Sequence, residues 1–119
     1  MIRTFIAATL ALAAAPAIAQ QPAPQLNDEQ RTLLHCSATF ALVSGRQHAG
    51  DKEALAFPDV TRRGREYFVR ALVQLMDDAG LDHDAVAKLV QVEAAGLQNS
   101  ADLYKQMPAC LASLQASGL

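Results

Sequence analysis

The spacing of apolar residues points to an all-α protein: four main helices and one short one, packed as a small bundle and closed by a single disulfide. From Asn27 onward apolar side chains recur at three- and four-residue steps, and no alternating strand pattern or internal repeat interrupts them. Two cysteines, Cys36 and Cys110, stand far apart in a chain that starts like an exported one. Each element follows from local chemistry.

Met1 to Ala19 reads as a secretory signal. Arg3 is its only charge, 15 of its 19 residues are apolar, and Ala17-Ile18-Ala19 is a small-x-small cleavage site. The apolar run is too short for a comfortable membrane span. Cleavage after Ala19 leaves 100 residues, of which 46 are apolar, with 9 Lys and Arg against 12 Asp and Glu. The remaining chain is thus acidic and of ordinary hydrophobicity, although 51% of the full sequence is hydrophobic. These values exclude a multidomain enzyme, a transmembrane segment in the mature chain, a broadly basic nucleic-acid binder and a disordered chain.

Residues 20 to 26, QQPAPQL, carry two prolines and no periodicity, so an extended leader without a core contribution is expected. Asn27 and Gln30 then fit a capping box, with Asp28 and Glu29 placing negative charge in the first turn of a helix. Leu33, Cys36, Phe40 and Val43 or Ser44 form its buried stripe. Leu34, Ala38, Ala41 and Leu42 widen that stripe, so more than one side should be covered. Between Gly45 and Gly50 the helix should end, and DKEALAF, Asp51 to Phe57, should make about two turns before Pro58 stops it.

Asp59 or Thr61 is expected to cap the next helix, TRRGREYFVRALVQLMDDAG, with Phe68, Ala71, Leu72, Leu75, Met76 and Ala79 on one face and Gly80 as the left-handed terminator. Asp82 should cap the fourth element, whose stripe is Val86, Leu89, Val90 and Leu97. Ser100 opens ADLYKQM, and Pro108 should force a kink or restart, giving a final turn-and-a-half that ends near Gly118. Sixteen alanines and five aromatics in the mature chain imply thin helices, close packing and a modest core.

The cysteines have only one intramolecular pairing, and export places them in an oxidising compartment, so a Cys36 to Cys110 bridge is expected. The competing reading keeps one thiol reactive: Cys110 lies near a helix amino terminus, and His35 adjoins Cys36. Adjacent helix residues diverge, however, which argues against a Cys–His nucleophile.

Charges on the segment from Val60 to Gly80 oppose its helix dipole. Arg62, Arg63, Arg65 and Arg70 crowd its start, while Asp77 and Asp78 end it. Local pairs Arg62–Glu66 and Glu66–Arg70 would offset this. Alternatively, Arg62, Arg63, Arg65 and Arg70 with Tyr67 form a contact for an anionic envelope component or an acidic protein surface. His35, His48 and His83 share no metal-site spacing, and in Asp82-His83-Asp84 the first residue is better used as a cap, so no metal and no cofactor is expected. Glu93 sits at the edge of its helix's stripe and should be paired. Without a glycine-rich phosphate loop, GxSxG, HExxH or paired carboxylates, no catalytic constellation is present in the sequence.

The segments LHCSATFALVSGRQ, GREYFVRALVQLMDDAG and MPACLASL together resemble a group of small exported helical proteins of alphaproteobacteria that carry one cysteine pair and no assigned activity. The resemblance implies an envelope location, periplasmic or secreted. In architecture alone, a short helical chain with one long-range disulfide is similar to periplasmic acid-stress chaperones of the HdeA type. The sequence therefore supports a non-enzymatic interaction module that binds a protein partner or itself. Its alternatives are an acid-stress chaperone-like protein and, third, a small-ligand carrier.

Overall fold

The computed structural model describes residues 13–15 and 24–119. Most of the expected signal and of the leader lies outside the described residues. Five α-helices and one 3-10 turn follow, and no strand occurs among the described residues.

The first helix, α1 (Asp28–His48), starts at the expected capping box: the Asn27 side chain accepts from the Gln30 amide at 2.8 Å, and the Gln30 side chain accepts from the Asn27 amide at 2.9 Å. Five consecutive residues, Cys36 to Phe40, are buried. At 3.6 residues per turn, five in succession cover the whole circumference, so the waist of α1 is enclosed on every side. All the other helical elements pack against it. The stripe first read as wide is in fact a full ring, although Ala41 is exposed.

After Gly50, in the left-handed region at φ 81°, Asp51 caps α2 (Lys52–Leu55). It is a single turn rather than two, because Phe57 must stay extended ahead of Pro58. Gln47 of α1 ties down the segment that follows: its amide nitrogen donates to the Ala54 carbonyl at 3.1 Å and the Pro58 carbonyl at 2.9 Å while its oxygen accepts from Val60 N–H at 3.3 Å.

At the start of α3 (Thr61–Ala79) the cap position is Val60, not Asp59 or Thr61 as expected, and no side chain caps it. Asp59, one residue earlier, instead accepts from the Thr61 amide at 2.8 Å, and Gly80 ends the helix at φ 64°. Its buried line is Gly64, Tyr67, Ala71 and Leu75. This corrects the expected face, since Phe68, Leu72 and Met76 are only half-buried on its flank. Gly64 causes the rotation. With no side chain, it lets Phe40 of α1 approach so closely that a Cβ at position 64 would stand 3.0 Å from Phe40 Cβ. Tyr67 then lies edge-on to Phe40, with ring centroids 5.3 Å apart.

Asp82 caps α4 (His83–Gln98) through the Ala85 amide at 2.8 Å, and Val86 and Leu97 are its buried residues. The restart near Pro108 is a 3-10 turn, Leu103–Gln106, followed by α5 (Met107–Ala116) with the proline in its first turn. At ten residues α5 is longer than the expected turn-and-a-half, because Met107, Cys110 and Leu114 keep one buried edge in step.

The disulfide links Cys36 at the enclosed waist of α1 to Cys110 of α5, with Cα atoms 5.2 Å apart. Around it lies the main core, which includes Phe40, Val43, Tyr67, Leu103, Met107 and Leu114. A smaller cluster, Leu34, Leu75 and Val86, fills the other end of the bundle. Leu26 packs onto that cluster, so the last leader residue does contribute to the core.

Gly64 and Gly96 separate two effects of the same substitution. Gly64→Ala should gain helix propensity but push on the fully buried Phe40, a net loss of about 1 kcal/mol. Gly96→Ala, with nothing within 4 Å of the added carbon, should gain up to about 1 kcal/mol. Urea unfolding of the two variants reads both; equal effects would remove the close approach of α3 to α1.

Candidate functional site

Among the residues marked in the sequence, the structure uses the cysteines, several arginines and Tyr67 to hold the bundle together. Cys36 and Cys110 are bonded to each other, and no free cysteine remains. His35, beside Cys36, points to different partners. Its Nδ1 is 2.8 Å from Glu93 Oε1 and its Nε2 3.0 Å from Gln106 Oε1. The Gln106 amide nitrogen donates to the Asp102 carbonyl at 3.2 Å, which turns the oxygen toward His35. Both ring nitrogens are thus engaged, and the ring clamps α1 to α4 and to the 3-10 turn next to the disulfide. Glu93 is paired as its position on the stripe suggested.

The arginine cluster is divided by geometry. Arg63 donates from Nε to the Leu119 carbonyl at 2.9 Å and again from Nη2, and Arg70 Nη1 donates to the Ser117 carbonyl at 3.1 Å. These carbonyls lie at and just beyond the carboxyl end of α5, where positive charge is favoured. Arg46 does the same for α4, donating to the Gln98 carbonyl at 3.0 Å with its guanidinium 5.4 Å from the centre of the Tyr104 ring. The adverse charge order along α3 is therefore offset by a neighbouring helix. The expected pairs Arg62–Glu66 and Glu66–Arg70 do not occur among the ion pairs of the described residues.

Tyr67 leaves the proposed anion contact. Only 3% of it is exposed, and its hydroxyl is 2.8 Å from Ser113 Oγ across the α3–α5 contact. Burial pushes that hydroxyl above the ordinary phenol value, with the Ser113 bond opposing. The residue borders an open cleft of about 440 Å³ that Arg70 also lines, and what occupies its hydroxyl there is the bond to Ser113.

What stays outside is one face of α3. Arg62 and Arg65 are exposed, Val69 is 57% and Val73 51% exposed, and Asp77 is exposed at the far end, while Asp78, two turns after Ala71 and on the inner side, is exposed only because the helix ends there. Among the described residues none of these four charged side chains makes a hydrogen bond or ion pair. Half-buried Phe68, Leu72 and Met76 flank the valines, so the apolar surface is continuous along one side of the helix. Arg65 and Phe68 also border a shallow groove of about 330 Å³ floored by Phe40 and Val60. Val69 and Val73 fall outside the face that the sequence leads one to expect buried, Phe68, Ala71, Leu72, Leu75, Met76 and Ala79. Once Tyr67 is seen to point inward, their outward position follows from the helical period.

Elsewhere, Asp82 serves as the α4 cap, and no group of three or more His, Cys, Asp or Glu side chains converges among the described residues. Nor, among them, is any helix long and apolar enough to cross a membrane. Comparison of the chain with family models, with curated proteins and with solved structures found no match.

Two carboxylates on the α1–α3 connection respond to acid. The backbone N–H of Ala54 holds the Asp51 carboxyl below its ordinary 3.8, with Glu53 N–H, the nearby Tyr104 hydroxyl and Arg46 adding to it. The backbone N–H and hydroxyl of Thr61 do the same for Asp59, with His48 as a lesser cause. A folded-state value below the unfolded one contributes stability above the unfolded value, and that stability is lost as pH falls through the folded value. The window lies below about pH 4. Asp51→Asn with Asp59→Asn keeps the acceptor oxygens but removes the titration. The urea midpoint of the natural protein should therefore fall more steeply between about pH 5 and about pH 3 than that of the double variant; parallel curves would exclude these carboxyls as the acid-sensitive groups.

Proposed function

We propose that the chain is an exported, non-enzymatic interaction module of the cell envelope that docks through the outer face of α3. The observation that carries this reading is the apolar strip itself. In a bundle whose core is short of large side chains, Val69 and Val73 are left more than half exposed, continuous with Phe68, Leu72 and Met76. A ridge of this kind, rimmed by charge, is how a docking surface differs from singly scattered exposed residues.

The envelope location rests on the signal-like amino terminus, on the resemblance to small exported proteins and on the Cys36–Cys110 bond, since such bonds persist in oxidising compartments. The interaction reading also accounts for the dispersal of the arginine cluster. Arg63 and Arg70 serve α5, and only Arg62 and Arg65 face outward beside the strip.

A second reading, an acid-stress chaperone-like protein, is favoured by the lowered Asp51 and Asp59 carboxyls. Their protonation would weaken the connection between α1 and α3, on which Val60 and the half-buried Phe57 sit. Binding of a hydrophobic dye and protection of a client from aggregation, both appearing only in acid, would put this reading first.

The docking reading is tested in cells with a photo-crosslinking amino acid at Val69 or Val73 and, as control, at exposed Gln91 of α4. Adducts of defined mass at 69 and 73 but not at 91 are expected. Absence of adducts at both α3 positions, or the same adducts at Gln91, would contradict it.

A further inference from the structure

We propose that the outer face of α3 docks on the same face of a second copy of this chain, the two helices running antiparallel about a two-fold axis at the level of residue 71. This deepens the docking reading and rests on it.

Arg65, Val69, Val73 and Asp77 are spaced four apart, so they form a single i±4 ridge along the helix. All four are exposed. Read from its amino end, the ridge is basic, apolar, apolar, acidic. That order is its own complement when reversed. Ala71 lies midway between Val69 and Val73 and also midway between Arg65 and Asp77, so one two-fold axis satisfies both pairs. It sets Val69 beside Val73 of the second copy, and Arg65 at the level of Asp77 of the second copy.

Crossing geometry agrees. Relative to the line pointing away from the bundle, Arg65 and Asp77 lie on opposite flanks, each about 60° off, at 100° per residue. Opposite flanks meet at the two ends of an antiparallel pair when the helices cross right-handedly. The class near −50°, in which i±4 ridges interdigitate, has that hand and is the commonest in globular proteins. Arg62, near the centre of the face, can reach the same acidic end. A parallel arrangement would stack arginine on arginine and aspartate on aspartate.

The alternative occupant of a basic and apolar face is an anionic membrane surface. Glu66 and Asp77 stand on this same face and would be repelled by anionic headgroups, whereas a second copy uses both signs. Self-docking also supplies partners for Arg62, Arg65 and Asp77, which have none among the described residues. Closed two-fold pairs are the commonest homo-oligomers, and an isologous patch must be self-complementary as this one is.

The ridge spans four turns of a 19-residue helix about 28 Å long. An interface of this size belongs to the small, transient class, below about 1,200 Å² in total. The association should therefore be weak, with Kd on the order of 10–100 µM, and should weaken further as salt screens its charges.

Sedimentation equilibrium of the oxidised mature chain from about 10 µM to about 1 mM tests this. The natural protein should dimerise. Arg65→Glu places two like-charge pairs in each dimer and should raise Kd about tenfold or more, as should Val73→Lys at the apolar centre. Combining Arg65→Glu with Asp77→Arg reverses both ends together and should restore Kd to within about threefold of the natural value. Because these residues are exposed, unchanged helical circular dichroism and melting confirm that each variant is folded.

A natural protein that stays monomeric to about 1 mM overturns the proposal, as does a dimer indifferent to Val73→Lys or a double variant no better than Arg65→Glu alone. So does a monomer that binds phosphatidylglycerol vesicles through Arg62 and Arg65, which would assign the face to lipid. The docking reading fails separately: crosslinks at positions 69 and 73 to a different protein keep it while removing self-association, and absence of crosslinks removes both.

Discussion

The Cys36–Cys110 bond is the constraint on which the arrangement of this bundle depends. It joins the enclosed waist of α1 to the last helix and closes 74 residues of chain. In the chain-entropy account such a loop contributes about 4.4 kcal/mol, a large share of the stability of a domain this size. The rest of the core is modest. Its largest fully buried side chains are Phe40, Leu75, Leu103, Met107 and Leu114, and several central positions are Ala, Ser or Thr. With α5 held against α1 by a covalent bond, Ser113 reaches the Tyr67 hydroxyl and the carboxyl end of α5 comes within reach of Arg63 and Arg70. The inner face of α3 is used up by α1, α4 and α5, and that is why its valines face outward.

Electrostatics follow from the same placement. Basic residues at the start of α3 oppose its own dipole but complement that of α5, so the charge order makes sense only between helices. Arg46 repeats the device at the end of α4. Among the described residues the outer Arg62, Arg65 and Asp77 of α3 have no such internal answer, and the proposed docking gives them one.

Much of this was legible in the sequence because it is local. The Asn27–Gln30 box, the Asp82 cap, the Gly80 terminator and the restart near Pro108 each depend on neighbours within a turn. The disulfide was legible for a different reason: two cysteines allow one pairing. What escaped depended on contacts across the fold. Gln47 closes the α2 loop over 7 to 13 residues, and the His35 clamp spans 58 and 71. Sequence periodicity placed Phe68 on the inner face of α3 and left Tyr67 among the arginines. Gly64 decided otherwise by drawing Phe40 in, and Ser113 supplied the partner that a buried hydroxyl requires. The reading of Tyr67 as an anion contact fell with that rotation, and the docking ridge emerged from it.

Intact mass of the protein isolated from the cell envelope, before and after reduction, tests the central claim most directly. A chain that begins at Gln20 and gains two hydrogens on reduction, with a marked fall in its unfolding midpoint, is the expected result. A chain retaining residues 1 to 19, or one whose mass and unfolding midpoint do not change on reduction, would contradict it.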